Sequence, residues 1–300
     1  MKFKQNRLAS LTVITIVYCL AAIAGYAVFS GLPGLPVALR LFLADLAATI
    51  LIFAASAVLR NASVYDPYWS VAPIVFLSLF ATGFGVISAG TLMLIAVIWY
   101  WGIRLTLNWL GTFSSLKVQD WRYDMLKARS KKFYPLVNFF GIHFFPTLVV
   151  FFAMLPAVYY IQSGKTNLLT LCGFAVCLAA TTLQLVSDLQ MTRCRQDTAD
   201  RSLVATPGLW KYSRHPNYFG EIMMWWGVYL VMLSVLPSRW YLLLGAVLNT
   251  LMFVFISIPM IEKRMLGYKA GYDRYRQETR MLLPIRKKQT NSEQQIPGEI

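Results

Sequence analysis

The stretch "RHPNYFGE", Arg214 to Glu221, gathers two basic side chains, an amide, a phenol and a carboxylate where a cationic loop runs into an apolar segment. Pro216 suits the first turn of a helix, because it lacks the N–H that a helix start leaves unbonded anyway. Asn217 and Tyr218 then offer directional hydrogen bonds from the emerging helix. Gly220 permits close backbone approach, and Glu221, one turn after Asn217, can accept from an amide or a hydroxyl. A helix cap with interfacial aromatics accounts for His215 and Tyr218, but it does not call for Glu221.

Just upstream, in "SDLQMTRCRQDTADR", Asp188 and Arg195 are seven residues apart and share one face of a continuing helix. Arg193, Arg201 and Arg214 extend that basic surface. Taken singly, each arginine reads as a cation paired with acids or lipid phosphates. As a set they read as a polyanion site, since a guanidinium fork grips phosphate bidentately.

Ionisable groups within or at the edge of apolar runs usually face a cavity or a partner. Here they are Asp45, Arg104, Asp188, Glu221 and Glu262, and the last three are expected at the cytoplasmic ends of three successive runs. The first half carries "NASVYDPYWS", with Tyr65, Asp66, Tyr68 and Trp69, and "YWGIRLTLN", in which Tyr100, Arg104 and Asn108 share a helical face. Tyr65, Asp66, Arg104 and Tyr123 of "DWRY" are the candidates for a catalytic hydrogen-bond donor and its supports. Asp66, Arg104 and Tyr123 read equally well as a structural network bracing the loops. Asp45 either reaches a substrate cavity or makes a helix–helix hydrogen bond. His143, alone in "GIHFFP", is expected at the membrane interface. Cys19, Cys172, Cys177 and Cys194 show no metal-ligand spacing, so buried thiols are expected, with neither disulfide nor metal.

The elements that must position these groups are apolar. The 300 residues are 57% hydrophobic and only 14% charged, far from a soluble composition. Apolar runs at 9–29, 40–59, 71–88, 91–110, 138–161, 168–187, 218–237 and 240–261 each approach the roughly 20 residues that a spanning helix needs. An all-α polytopic bundle of about eight transmembrane helices follows. The first run is too long for a secretory signal and reads as a span. With both termini on one side, that side holds 24 of the 28 lysines and arginines, so both termini are expected to be cytoplasmic. The net charge of +15 suits anionic lipid headgroups or a phosphate-bearing cofactor. Nucleic acid is not expected, because no soluble domain is there to dock it.

No internal repeat or long linker divides the chain, so one membrane domain over 1–288 is expected, with a disordered polar tail at 289–300. Within it, 1–137 is assigned to the substrate side and 138–288 to the cofactor side. Met265, Tyr268, Tyr272 and Tyr275 in "KRMLGYKAGYDRYR" have the spacing of one amphipathic surface helix.

At these residues the sequence resembles the steroid 5-alpha-reductase superfamily, in particular a largely bacterial branch of it. That superfamily shares its C-terminal half with sterol C14 reductases. The resemblance covers roughly Arg60 to Pro284 and is carried by "SDLQMTRCR", "TPGLWKYSRHPNYFGEIMMWWG" and "PMIEKRML…YDRYRQETRMLLP", with "DPYWSVAP" and "VQDWRY" in the first half. It implies that Asp188, Arg195, Asn217, Tyr218 and Glu221 line an NADPH site, with Asn217 and Glu221 at the nicotinamide carboxamide and the arginines, Arg201 and Arg214 among them, at the phosphates. Gly208 and Trp210 would belong to a loop closing over the cofactor. His215, Glu262, Tyr272 and Arg280 would complete its surroundings. Two departures bear on the substrate: the last run ends in "IPMIEKRM" without the histidines of steroid reductases, and their substrate-gripping carboxylate and tyrosine have no sure match.

The implied activity is hydride transfer from NADPH to an activated carbon–carbon double bond of a steroid-, isoprenoid- or fatty-like substrate entering from the bilayer. Isoprenylcysteine and phospholipid methyltransferases, which use S-adenosylmethionine, resemble the same "RHPxYxG" motif and supply the alternative. Their last span typically ends in adjacent glutamates, whereas Lys263 follows Glu262 here. S-adenosylmethionine carries no phosphate and has little use for so many arginines. A bacterial inner membrane, with the cofactor site facing the cytoplasm, is the expected location.

Overall fold

In the computed structural model, which describes residues 2–197, 200 and 202–285, regular structure is helical, and among the described residues the only extended pairings are the isolated bridges Leu203–Ala270 and Ser213–Arg280. The principal helices are α1 (Arg7–Gly31), α2 (Val37–Leu59), α3 (Tyr68–Phe84) and α4 (Ala89–Thr112). They are followed by α5 (Trp121–Ser130), the single turn α6 (Tyr134–Leu136), α7 (Phe145–Ser163) and α8 (Leu168–Asp197). The chain ends with α9 (Pro216–Leu233), α10 (Leu244–Met252), α11 (Ile258–Tyr268) and α12 (Tyr272–Glu278). The expected tail at 289–300 lies outside the described residues.

Seven helical stretches among the described residues are long and apolar enough to cross a bilayer: Arg7–Gly31, Val37–Leu59, Ala62–Phe84, Ala89–Thr112, Trp121–Ser163, Leu168–Asp197 and Pro237–Tyr268. The protein is a polytopic helical membrane bundle. The count is one short of the eight apolar runs because α9, at 18 residues, opens on Pro216, Asn217 and Glu221, and those polar first turns dilute its apolar stretch.

The chain forms two compact units. The first comprises Met1–Thr181 and Ile222–Met252. At its centre α7 buries residues on every side, from Thr147 to Ile161, as expected of a helix that is apolar all round. Around it lie Leu77, Phe80, Ile98, Trp101, Phe174, Trp225 and Val228, with the Trp101 and Trp225 rings edge to face at 5.0 Å. Helix packing in lipid relies on close approach, because lipid tails are as apolar as leucine and water drives nothing together. Small residues therefore sit at the contacts. A Cβ at Gly245 of α10 would lie 2.2 Å from the Phe152 carbonyl oxygen of α7, and one at Gly102 of α4 would lie 2.7 Å from the Ser70 carbonyl of α3.

The second unit comprises Thr182–Glu221 and Phe253–Ile300. The surface helix expected across 263–276 is interrupted here. Helix α11 stops at Tyr268, Gly271 takes the left-handed conformation (φ +76°), and α12 restarts at Tyr272. The break lets the Ala270 amide donate to the Ser202 carbonyl (2.8 Å), a bond that a continuous helix would forbid. Tyr272 and Tyr275 are buried while Tyr268 stays exposed.

No disulfide joins the four cysteines. Cys177 is buried, but Cys19 and Cys172 lie exposed on α1 and α8 rather than in the core as expected, a position that surrounding hydrocarbon tolerates. Gly245→Ala is expected to destabilise the detergent-solubilised protein by about 1–3 kcal/mol through overpacking against rigid backbone. Gly111→Ala, with open space around it, should be neutral or stabilising by no more than about 1 kcal/mol. Thermal unfolding followed by circular dichroism measures both.

Candidate functional site

In the second unit the "RHPNY" turn is held from several directions by its own side chains and backbone. Helix α9 begins at Pro216, as its missing N–H predicts. Before it, the Arg214 and His215 amides donate to the Arg280 and Met281 carbonyls at 2.9 and 3.1 Å, and Ser213 Oγ donates to the Leu282 carbonyl at 2.7 Å. The C-terminal segment 280–282 thus runs beside 213–215 as a short strap.

Glu262 of α11 is the hub of this turn. Arg214 Nε donates to Glu262 Oε1 at 2.7 Å and His215 Nε2 donates to the same oxygen at 3.0 Å, while Arg276 Nε lies 3.4 Å from Oε2. Arg214 Nη1 also donates to the carbonyls of Arg276 (2.9 Å) and Thr279. Both Arg214 and Glu262 are under a tenth exposed. A buried ion pair persists when further hydrogen bonds satisfy its remaining atoms, and the carbonyls at the end of α12 do that here. The guanidinium expected at a phosphate is therefore engaged by a carboxylate and backbone carbonyls.

The other candidates divide by exposure. Asn217 Nδ2 donates to Asp188 Oδ1 at 3.1 Å, which joins α9 to α8, and Asn217 Oδ1 accepts from the Tyr218 amide at 3.0 Å. The Tyr218 ring stacks on His215 (centroids 5.4 Å, planes 9° apart) and leans on Phe253 at 4.9 Å. Asp188, Asn217 and Tyr218 are half-buried, whereas Glu221 is buried. Arg195 is exposed on the last turns of α8, and Arg201 lies outside the described residues. Gly208 adopts φ +52°, and a Cβ there would meet the Gln190 side chain at 2.3 Å. Gln190 Oε1 accepts from the Leu209 amide, and Trp210 Nε1 donates to the Ser187 carbonyl, so the 208–210 turn is fastened to α8. Tyr272 is buried beside Tyr275, and burial pushes its hydroxyl up to about 12. Burial lowers the His215 pKa below its ordinary 6.5, against the opposing pull of Glu262.

In the first unit the candidate catalytic residues are held by different contacts. Tyr123 OH donates to Asp66 Oδ1 at 2.5 Å, and the two loops around them interlock. Asn61 Nδ2 donates to the carbonyls of Leu116 and Val118, Gln119 Oε1 accepts from the Ala62 amide, and Ser63 Oγ accepts from the Asp120 amide. Asp66 and Tyr123 thus brace loops, one of the two roles open from the residues alone. Arg104 is buried within α4. Tyr65 turns elsewhere, sharing a hydrogen bond with Thr147 Oγ1 of α7 at 2.9 Å.

Two outcomes differ from or sharpen the expectations. Asp45 accepts from Tyr68 OH at 2.6 Å, the helix–helix hydrogen bond between α2 and α3. His143 is wholly buried within the bundle, with its ring 4.9 Å from Tyr65 and 5.4 Å from Phe53. The cause is the π-helical segment Val137–Phe144, whose wider turn rotates His143 into the bundle. Sequence periodicity tuned to 3.6 residues per turn had no means of locating it.

Fold and site together define a polytopic helical membrane protein with a polar, cation-rich second unit. The chain belongs to the family described as "Protein of unknown function (DUF1295)", which it matches over residues 52–279. It is also similar to "Uncharacterized protein C594.04c" of Schizosaccharomyces pombe, 23% identical over 199 residues, which cover 57% of this chain and 57% of that protein. The chain therefore matches little more than half the length of that curated relative. No solved structure matches at a significant level.

Removing the hub charge tests the arrangement. Glu262→Gln leaves the buried Arg214 guanidinium uncompensated and should cost about 3 kcal/mol in thermal or denaturant unfolding. Because folding holds His215 neutral, its contribution is fully present above the unfolded value near 6.5 and is lost as pH falls below it. Melting temperature should decline from pH 7 toward pH 5, and His215→Gln should flatten part of that decline.

Proposed function

We propose that this protein is a membrane-embedded reductase of the steroid 5-alpha-reductase superfamily. It would use NADPH to reduce an activated carbon–carbon double bond in a lipophilic substrate of steroid, isoprenoid or fatty character. The observation that carries the reading is the half-buried Asp188–Asn217–Tyr218 group at the start of α9. It presents an oriented amide, a carboxylate and an aromatic face within a turn that Glu262 and the strap hold rigid.

Those residues fit a nicotinamide carboxamide in kind. Asp188 accepts from one N–H of Asn217 and fixes the side-chain plane, so the amide can exchange hydrogen bonds with a second amide in one orientation. Arg193 and Arg195, exposed on the last turns of α8, are better placed than Arg214 to meet phosphates, since Arg214 already serves Glu262 and two carbonyls. When bound, the dinucleotide supplies the hydride. The protein's part is to hold the ring and to donate a hydrogen bond to the substrate oxygen on which charge develops. Of the two tyrosines among the first-half candidates, Tyr65 is the one whose proton is not committed to a carboxylate. The Tyr123 proton is committed to Asp66, whereas the Tyr65 and Thr147 hydroxyls can exchange donor and acceptor roles.

The engagement of Arg214 by Glu262 favours a second reading, because it removes one cation from the phosphate argument. That reading is S-adenosylmethionine-dependent methyl transfer to a lipid or prenylated substrate. The bias of lysine and arginine to one side supports an orientation with the cofactor residues facing the cytoplasm, and a bacterial inner membrane is the proposed location. A ligand that binds only the folded state raises its melting temperature. NADPH is expected to stabilise the purified full chain, with NADH weaker and S-adenosylmethionine without effect. Asn217→Ala should abolish that shift, lowering the unliganded melting temperature by no more than the loss of its one hydrogen bond to Asp188, worth about 1–2 kcal/mol. Stabilisation by S-adenosylmethionine alone would transfer the assignment to the methyltransferase reading.

A further inference from the structure

A polar seam runs through the apolar first unit. On α2, Asp45, Thr49 and Ser56 are buried at helical spacing on one face. Facing them are Tyr65 and Tyr68, and, from the π segment and α7, Asn138, His143 and Thr147. Part of the seam is closed within itself: Tyr68 to Asp45, Thr49 to Thr147, and Thr147 to Tyr65 at 2.6, 3.1 and 2.9 Å. The remainder is not. Ser56 Oγ, Asn138 Oδ1 and His143 Nε2 are buried with no hydrogen-bond partner among the described residues. Polar atoms so buried are costly unless something else meets them.

The chemistry of these atoms limits what could do so. His143 Nδ1 lies 2.9 Å from the Asn138 carbonyl oxygen, which can only accept, so the ring proton sits on Nδ1. In the neutral ring Nε2 is then a bare acceptor. Asn138 Oδ1 is an acceptor as well, and the Ser56 hydroxyl can act in either sense. A ketone, ester or ether brings only acceptors and leaves Nε2 unmet. A carboxylate would set a negative charge against two acceptors, and an ammonium would bring an unpaired charge into hydrocarbon. A hydroxyl is the small neutral group that donates to Nε2 while accepting from a serine.

We propose that this seam is a binding site for the hydroxyl end of a membrane-soluble alcohol, with His143 Nε2 as its acceptor and Ser56 and Asn138 as flanking partners. The π segment is what makes the site, since it turns both Asn138 and His143 into the bundle. The inference uses first-unit residues alone and stands whether or not the second unit carries a dinucleotide.

The chain has only two histidines, His143 and His215, so the ring nitrogens can be observed directly. The full chain, labelled with nitrogen-15 histidine, is purified in dodecylphosphocholine, a detergent without hydroxyl groups. The two rings are assigned with His143→Phe or, should that variant not fold, with His215→Gln. Titration with 1-hexadecanol is expected to move the His143 Nε2 resonance upfield, the direction of an acceptor nitrogen gaining a hydrogen bond, in a saturable way and with Nδ1 unchanged. The methyl ether of the same chain, which cannot donate, should leave it in place. No saturable shift with the alcohol, an equal shift with the ether, or an Nε2 already hydrogen-bonded to water and indifferent to the alcohol would each overturn the proposal.

Discussion

Hydrocarbon supplies no hydrogen bonds, and that constraint governs both units of this protein. Backbone groups meet it by forming helices, which is why the described residues hold almost no extended pairing. Side chains meet it by pairing with one another. Asp45 with Tyr68, and Thr49 with Thr147 and Tyr65, are polar groups that a soluble core could leave to buried water. Here they bind helix to helix, and they fix which face of α2 turns inward.

In the second unit the same requirement converges on one carboxylate. Glu262 receives Arg214 and His215 on one oxygen and faces Arg276 from the other. Because Arg214 also grips the carbonyls at the end of α12, the pair is a tie between the RHP turn, α11 and the terminal strap. The consequence for function is positional. With that turn fixed, Asn217 and Tyr218 emerge at a defined angle from the first turn of α9, and Asp188 fixes the amide plane. A cation-rich motif thus spends part of its charge on construction. Counting arginines along the chain does not show which part.

What the residue string made legible follows from local rules. Apolar runs located the helices, and Pro216 marked the start of α9. The pairing of Asp188 with Asn217 was not legible from local rules: only the resemblance groups them, and their hydrogen bond joins two elements. Long-range partnership was harder to read. The spacing of Met265, Tyr268, Tyr272 and Tyr275 suits a single helix, and only the bond from Ala270 to Ser202 explains why Gly271 breaks it. Nothing in the local sequence tells that Glu262 gathers Arg214, His215 and Arg276. Asp66 and Tyr123 lie 57 positions apart, and the choice between catalysis and bracing depends on the interlocked loops around them.

His143 shows why a membrane interior defeats the usual inference from composition. A lone histidine beside phenylalanines belongs at the interface if the helix around it has regular pitch. The π turn changes the pitch for eight residues and carries the ring to full burial against Tyr65. Wide turns give up regular i to i−4 bonding, so they persist where tertiary contacts or a function hold them. The contacts seen here are a backbone bond from Nδ1 and two aromatic rings, none of which involves Nε2. The turn thus buries an acceptor without meeting it, and that unmet nitrogen is a cost which the contacts at Nδ1 and the ring faces must outweigh.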